Sequence, residues 1–521
     1  MKLSTNQTTY HTLRLILGDQ LNTQHSWYKE KKDNVLYVMM EVRQETDYVR
    51  HHIQKVVGFF LAMQAFATDL QKEGHSIYYF NIDDKNNQHS IPQNLKQLIE
   101  QYNIQHFEYQ LPDEYRLDEQ LKSFCEEITI SSKVYDTEHF LAKRDTVHEL
   151  FKNKKTYLME TFYRKMRKTY NILMEEDGKT PLTGKWNYDA ANRKKLPKKT
   201  PIPPPKHFLR DVTSLVQTIQ TAGIQTIGHP QVERFNWAIT RTEALELLEH
   251  FVKIRLIHFG TYQDAMTERN YLLFHSKLSF AMNVKLISPL EVCQAVVTYW
   301  KKRQDTIDIA QVEGFIRQII GWREYMRGIY WAKMPEFATM NFFNHTEKLP
   351  DFFWTGKTNM KCLSHSITQS LDYAYAHHIQ RLMVTGSFSL LLGVHPDEVD
   401  NWYLGIYMDA LEWVEITNTR GMSQFADGGI VGTKPYVGSA NYMHKMSDYC
   451  SNCIYDRKKK HGDKACPFNS LYWDFYHRHR SKLERNPRIG MMYRILDKMD
   501  SETLAKTLEQ AANYKARVEA L

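Results

Sequence analysis

Short apolar runs and longer stretches of helical periodicity alternate along the first 140 residues. The runs Leu13–Leu17, Val35–Met40, His75–Phe80 and His106–Tyr109 read as strands. The stretches His51–Glu73, Asn94–Tyr102 and Leu117–Ile128 read as helices. Strand followed by helix, repeated, predicts a parallel sheet with both faces covered. Ligands of such sheets sit beyond the carboxyl ends of the strands. Gly18-Asp19-Gln20 follows the first predicted strand directly, and Glu41 follows the second. On their own, these two places also read as a turn and a helix cap.

The pattern changes over residues 150–205. Arg164 to Lys168 is a basic cluster, Gly178 to Gly184 is loop-like, and Arg193-Lys194-Lys195, Lys198-Lys199 and Pro201 to Pro205 follow. The proline run cannot be helical and predicts an extended linker. Basic residues interleaved with Tyr170, Trp186 and Tyr188 suit a phosphate backbone as well as they suit a solvated linker. From about residue 230, helical periodicity dominates, in Glu243–Arg255, Pro289–Arg303, Gln311–Arg327, Gln369–Leu392 and Ser501–Ala520. The division expected is an α/β domain over 1–140, a basic, proline-rich linker over 141–230 and an all-α domain over 231–521. Within the last, Asp372 to Gly429 concentrates paired histidines, an arginine, tryptophan, tyrosine and spaced acids in mostly apolar sequence. Such a stretch points to the lining of a cofactor pocket.

Composition narrows the reading. A chain of 521 residues with 42% hydrophobic residues can bury more than one core. The aromatic share of 13% suits stacking on flat rings or plain packing, and the net charge of +8 allows a polyanionic partner without demanding one. No apolar run approaches the roughly 18 residues of a membrane span, and the N-terminal sequence lacks a signal-peptide pattern. A cytoplasmic, reducing location is expected, and there the 6 cysteines serve some purpose other than disulfides. Cys450 and Cys453 form a C-x2-C pair, with Cys466-Pro467 following. Such a turn aims two sulfurs at one metal. Cys362, His444, His461, Cys125 and Cys293 are candidates for the remaining ligand. Spacing favours zinc; an iron–sulfur cluster is the rival, with Cys-Pro in its favour.

Segments spanning nearly the whole chain resemble, in order, the photolyase–cryptochrome superfamily, and within it the bacterial iron–sulfur branch of prokaryotic (6-4) photolyases. They are LILGDQL (15–21), YVRHH (48–52), GKWNYDAANRKK (184–195), FGTYQDAM (259–266), LFHSKLSFAMN (273–283), GWREYMRGIYW (321–331), AHHIQRLM (376–383), YMDALEWVEITNTRGMSQFADGG (407–429), KPYVGSANYMHKMSDYCSNC (434–453) and ACPFNSLYWDF (465–475). The resemblance implies a Rossmann-like α/β antenna domain followed by a helical domain that folds around FAD. It replaces zinc by a [4Fe–4S] cluster on Cys362, Cys450, Cys453 and Cys466. It implies a 6,7-dimethyl-8-ribityllumazine antenna near Asp19, Gln20 and Glu41.

For FAD, the resemblance implies contacts from Tyr262 and from His275, Ser276, Lys277, Leu278 and Ser279. It places the Arg381–Asp409 ion pair against the flavin ring and Glu415 facing its N5. His377 and His378 match the histidine pair of (6-4) enzymes, with His378 facing the lesion, where an imidazole suits proton donation. Tyr436 matches a lesion-pocket tyrosine. Trp402 and Trp354 match an electron path, with Tyr403 as a side branch, and Trp186, Tyr188 and Arg193 fall in a DNA-facing loop. Eukaryotic (6-4) enzymes carry a further histidine where this chain has Leu382. The implied activity is light-driven repair of (6-4) photoproducts in UV-damaged DNA by a monomer that does not associate with membranes. A blue-light photoreceptor with the same cofactors is the alternative, and a light-independent, nucleic-acid-binding cluster protein is a third.

Overall fold

The computed structural model describes residues 9–154 and 156–521. Five parallel strands form one sheet: β1 (Thr12–Leu15), β2 (Val35–Met40), β3 (Ser76–Phe80), β4 (His106–Gln110) and β5 (Ser131–Tyr135), in the spatial order β3-β2-β1-β4-β5. β1 and β2 are buried at every position. Strands covered on both faces read as continuous apolar runs, which is why the sequence reveals them. β5 was not expected from the sequence. It is an edge strand, exposed at four of five positions, so its Ser-Ser-Lys start carries no apolar signal.

Three helices connect these strands: α1 (Ile53–Lys72), α2 (Ile91–Tyr102) and α3 (Tyr115–Glu127). His52 caps α1, accepting from the Gln54 N–H through its ring nitrogen at 3.0 Å. α2 starts three residues earlier than its periodicity suggests, because Pro92 is well tolerated in a first helical turn. The strand order reverses between β1 and β4, which opens a crevice at their carboxyl ends.

The linker region is partly ordered against the helical half. Residues 201–205 form no regular element. The 184–195 loop, by contrast, is pinned. Buried Asn192 donates to the Ala310 carbonyl at 3.2 Å, and Lys194 N donates to the Thr261 carbonyl at 3.1 Å. A β-carbon at Gly260 would lie 2.8 Å from the Asn192 oxygen, and one at Gly314 would lie 2.6 Å from its nitrogen. Only glycines leave that slot open.

Beyond the linker the described chain is helical. Four segments are wound as π-helix: Phe251–Arg255, Arg317–Arg323, Gln380–Gly386 and Thr417–Ser423. The helix expected over Gln369–Leu392 is two helices. Its first part, α4 (Lys361–Tyr373), stops at Ala374, whose φ of 50° is left-handed. Helical winding resumes at His378 and reaches α5 (Ser387–Leu392) through the π segment. Periodicity alone does not register this break, because the apolar positions on its two sides stay in phase.

The sheet meets the helical half through buried charge. Lys285 Nζ lies 3.0 Å from Asp19 Oδ2 and 2.8 Å from Asp113 Oδ2, and Arg327 Nε lies 3.4 Å from Asp113 Oδ1. The Lys285 side chain is fully buried, and its backbone has a left-handed φ of 68°. Removing one member of such a network leaves unpaired charge in the interior. Lys285→Met therefore costs about 3–5 kcal/mol of stability, read from urea denaturation. An unchanged midpoint would show that the ammonium does not hold the junction.

Candidate active site

The Arg381–Asp409 pair forms as the resemblance implies. Arg381 Nη1 lies 3.0 Å from Asp409 Oδ1, and Ser279 Oγ donates to Asp409 Oδ2 at 2.5 Å. Asn283 fixes the Asp409 carbonyl at 2.8 Å, and Arg381 Nε donates to the Ala376 carbonyl at 2.7 Å. Burial alone would raise the Asp409 carboxyl, but Arg381 and Ser279 hold it below the usual carboxylate range. The Arg381 guanidinium also sits 3.8 Å from the centre of the Tyr407 ring.

Glu415 is buried, and its Oε1 has no partner among the described residues. Burial, reinforced by Asp400, pushes its carboxyl well above the usual range. Lys55 reaches this neighbourhood from α1, donating to the Leu404 and Ala410 carbonyls at 2.8 and 2.7 Å, and burial pulls its pKa down to about 7.

The histidines form a group. The His275 and His377 rings stack at 4.7 Å with 15° between their planes, and neither ring nitrogen of His377 has a partner among the described residues. His378 starts the helical winding that carries Arg381, and its side chain remains open to solvent within a dense surround. Desolvation and then Arg381 pull its pKa down to about 4. Of the other residues matched to the FAD segment, Leu278 is buried in the main core and Tyr262 packs in a separate small cluster with Leu273 and Phe274. Ser276 Oγ accepts from Leu278 N at 3.4 Å. Lys277 turns toward the indole of Trp237, with Nζ 4.0 Å from the ring centre and 2.6 Å from the Asn236 carbonyl.

An aromatic series runs outward from the ion pair. Tyr407 lies under Arg381, Trp402 is 5.8 Å from Tyr407, and Phe353 is 5.1 Å from Trp402. Trp354, beside Phe353 in sequence, is 39% exposed. Tyr403 branches from the series, 5.2 Å from Trp402 and 5.5 Å from Tyr407. Sequence reasoning singled out Trp402, Tyr403 and Trp354 but not Tyr407, although it stands at the head of the 407–429 motif.

At the carboxyl ends of β1 and β2 lies a cavity of about 1020 Å³, counting the part open to solvent. Asp19 and Glu41 line it, together with Glu45, Tyr48, His51 and Trp413. Glu41 is tied down by Tyr79, Gln64 and the Ile82 N–H at 2.7, 2.8 and 2.9 Å. Gln20 is not part of the lining. Its amide is spent on main chain, accepting from Leu17 N at 3.0 Å and donating to the Gln110 carbonyl at 3.2 Å. Glu45, Tyr48 and Trp413 were missed because only folding brings them to the strand ends.

Cys362, Cys450, Cys453 and Cys466 line a second cavity, with Met360, Met443 and Phe468 among its apolar walls. Cys125 and Cys293 lie elsewhere. Among the described residues, no group of three or more His, Cys, Asp or Glu side chains closes on a single ion.

The 184–195 loop presents the remaining residues. Trp186 lies against Arg164, Arg167 and Lys168, with 5.4, 5.0 and 5.5 Å between charge and ring centre. Tyr188 N donates to Glu313 at 3.1 Å. Exposed Arg193 pairs with Asp189, and its charge acts on partly buried Tyr436.

The family model described as deoxyribodipyrimidine photo-lyase-related protein matches residues 14–237. A protein of Agrobacterium fabrum named (6-4) photolyase is 41% identical over 513 residues, which is 97% of this chain and 99% of that protein. The crystal structure of a bacterial class III photolyase from Agrobacterium tumefaciens shares the fold, with a TM-score of 0.57, 14% identity and 100% coverage of both chains. A Synechocystis cryptochrome matches with a TM-score of 0.51 and 13% identity, over 100% of this chain and 95% of that one.

The buried histidines set a pH response. Burial pulls His52 down to about 4 and His275 to about 3, whereas an unfolded chain protonates histidine at about 6.5. The unfolded state therefore binds more protons as pH falls through that window. Stability against urea is expected to be flat above about pH 7 and to decline between about 6.5 and 4. A midpoint independent of pH across that interval would show that these imidazoles are not neutral in the fold.

Proposed function

The chain belongs to the photolyase family, and we infer that it repairs (6-4) photoproducts in UV-damaged DNA under light. The observation carrying this reading is the meeting of His378, Arg381 and Asp409 in one neighbourhood of a chain 41% identical, end to end, to a (6-4) photolyase. FAD bound here would supply light-driven electron transfer to the lesion. Arg381, Asp409 and Ser279 would orient it, and the Glu415 carboxyl would face a flavin nitrogen.

The lesion is read here as flipped out of the duplex, with Tyr436 at the pocket and Arg193, Trp186 and Tyr188 along the strand. His378 would hand a proton from an imidazole nitrogen to the oxygen migrating between the pyrimidines. In the free protein that imidazole is neutral at pH 7, because its pKa lies near about 4. Substrate phosphates are the charges available to raise it, so the acid would form chiefly in the complex. Tyr407, Trp402 and Trp354, with Tyr403 beside them, offer a route for electrons from the surface.

The four cysteine sulfurs around one cavity are the ligand set of a [4Fe–4S] cluster, as the resemblance implies. The larger cavity fits a 6,7-dimethyl-8-ribityllumazine antenna. Its walls are largely apolar, and the carboxyls of Asp19 and Glu41 supply hydrogen-bonding partners.

The test is photorepair of defined oligonucleotides carrying either a (6-4) lesion or a cyclobutane dimer. The wild type is expected to restore only the (6-4) bases, and His378→Ala to lose about 10²–10⁴-fold in rate with flavin retained. A wild type that binds DNA and photoreduces but repairs neither lesion would sink the reading in favour of a photoreceptor. Separately, Cys362→Ser is expected to lose most of its bound iron by elemental analysis. Full iron content in that variant would remove Cys362 from the ligand set.

A further inference from the structure

The break between α4 and the winding that begins at His378 is held by two glutamines. Gln369 and Gln380 form a reciprocal amide pair, each NH2 donating to the other's oxygen at 3.0 Å. Rotating either amide would set like groups against each other, so the pair has one favoured orientation. Gln369 also donates to the Tyr375 carbonyl at 3.1 Å, and Gln380 Oε1 accepts from His377 N at 3.1 Å. The second bond is the backward half of a capping box, with Gln380 three residues into the helix that His378 opens. The amide pair thus bonds both sides of the turn that presents the histidines.

A third residue extends the network. Gln380 Nε2 donates to Tyr449 OH at 3.1 Å, and Tyr449 lines the cavity of the four cysteines, immediately before Cys450. All three side chains are nearly inaccessible, at 4% for Gln369, 1% for Gln380 and 0% for Tyr449. A buried polar network with its bonds made is stiff and specifies one arrangement.

We propose that Gln380 and Tyr449 are positioning residues for (6-4) repair: the amide pair fixes the turn that presents His378, and Tyr449 ties that turn to the cysteine-bearing loop. This rests on the repair reading above. It gives the cysteine site a mechanical connection to the proton donor, with no electron transfer between them required.

Tyr449→Phe removes only the phenol oxygen, and Gln380→Glu keeps the acceptor for His377 N while losing the amide donor. Both are compared with the wild type, each carrying its cofactors. The expected result is unchanged flavin content and DNA affinity with (6-4) repair slowed about five- to tenfold, the scale of one lost hydrogen bond. The midpoint of the repair–pH profile should move as well, because the distances from His378 to Arg381, His377 and His275 change. Hydrogen exchange of a peptide covering 374–381 should quicken in both variants. Wild-type repair rates and exchange in both variants would overturn the proposal. So would slower repair that only follows lost flavin or DNA affinity, with the pH midpoint unmoved. Failure of the wild type to repair would defeat the repair reading instead, and exchange at 374–381 would still decide whether the network holds the turn.

Discussion

Buried charge has to be paired, and in this molecule the pairing is concentrated on one short segment, Ser279 to Lys285. Ser279 and Asn283 hold Asp409, which faces Arg381. Two residues past Asn283, the Lys285 ammonium joins Asp19 and Asp113 at the carboxyl edge of the sheet. The segment therefore fixes the ion pair of the candidate site and the rim of the larger cavity at the same time. Lys285 accepts a left-handed backbone to do so, a local cost that persists only where surrounding structure determines the conformation.

Desolvation sets the chemistry within that frame. It raises Glu415 well above the usual carboxylate range, lowers His377, His378 and His275 below that of free histidine, and brings Lys55 and Lys277 to about 7. A flavin diphosphate and a DNA backbone are both anions, and an anion favours the protonated form of an imidazole or amine beside it. The π-wound segments 380–386 and 417–423 carry Arg381 and Arg420 next to these groups, as such windings often do at functional sites.

What could be read from the sequence follows burial. Val35–Met40 is apolar throughout and coincides with β2, whereas Ser131–Tyr135 lies at the exposed sheet edge and looked like coil. The Gln369–Leu392 periodicity showed helix but not the break at Ala374, which is held by side-chain amides and carries no hydrophobic signal. The C-x2-C pair pointed to metal binding, but spacing along the chain does not show that the remote Cys362 lines the same cavity. Gln20 looked like a ligand contact, but its amide bridges the backbone between β1 and β4.

Residue order thus determined the alternating α/β half, the helical half, the motifs of the family and the residue types of the site. These depend on local periodicity and on short strings of neighbours. Tertiary structure decided which of them meet: Cys362 with the C-terminal cysteines, Tyr407 under Arg381, Glu45 at the strand mouths, and Tyr449 with Gln380. It also decided which groups are neutral, since a pKa depends on burial and neighbouring charge, and neither is a property of position along the chain.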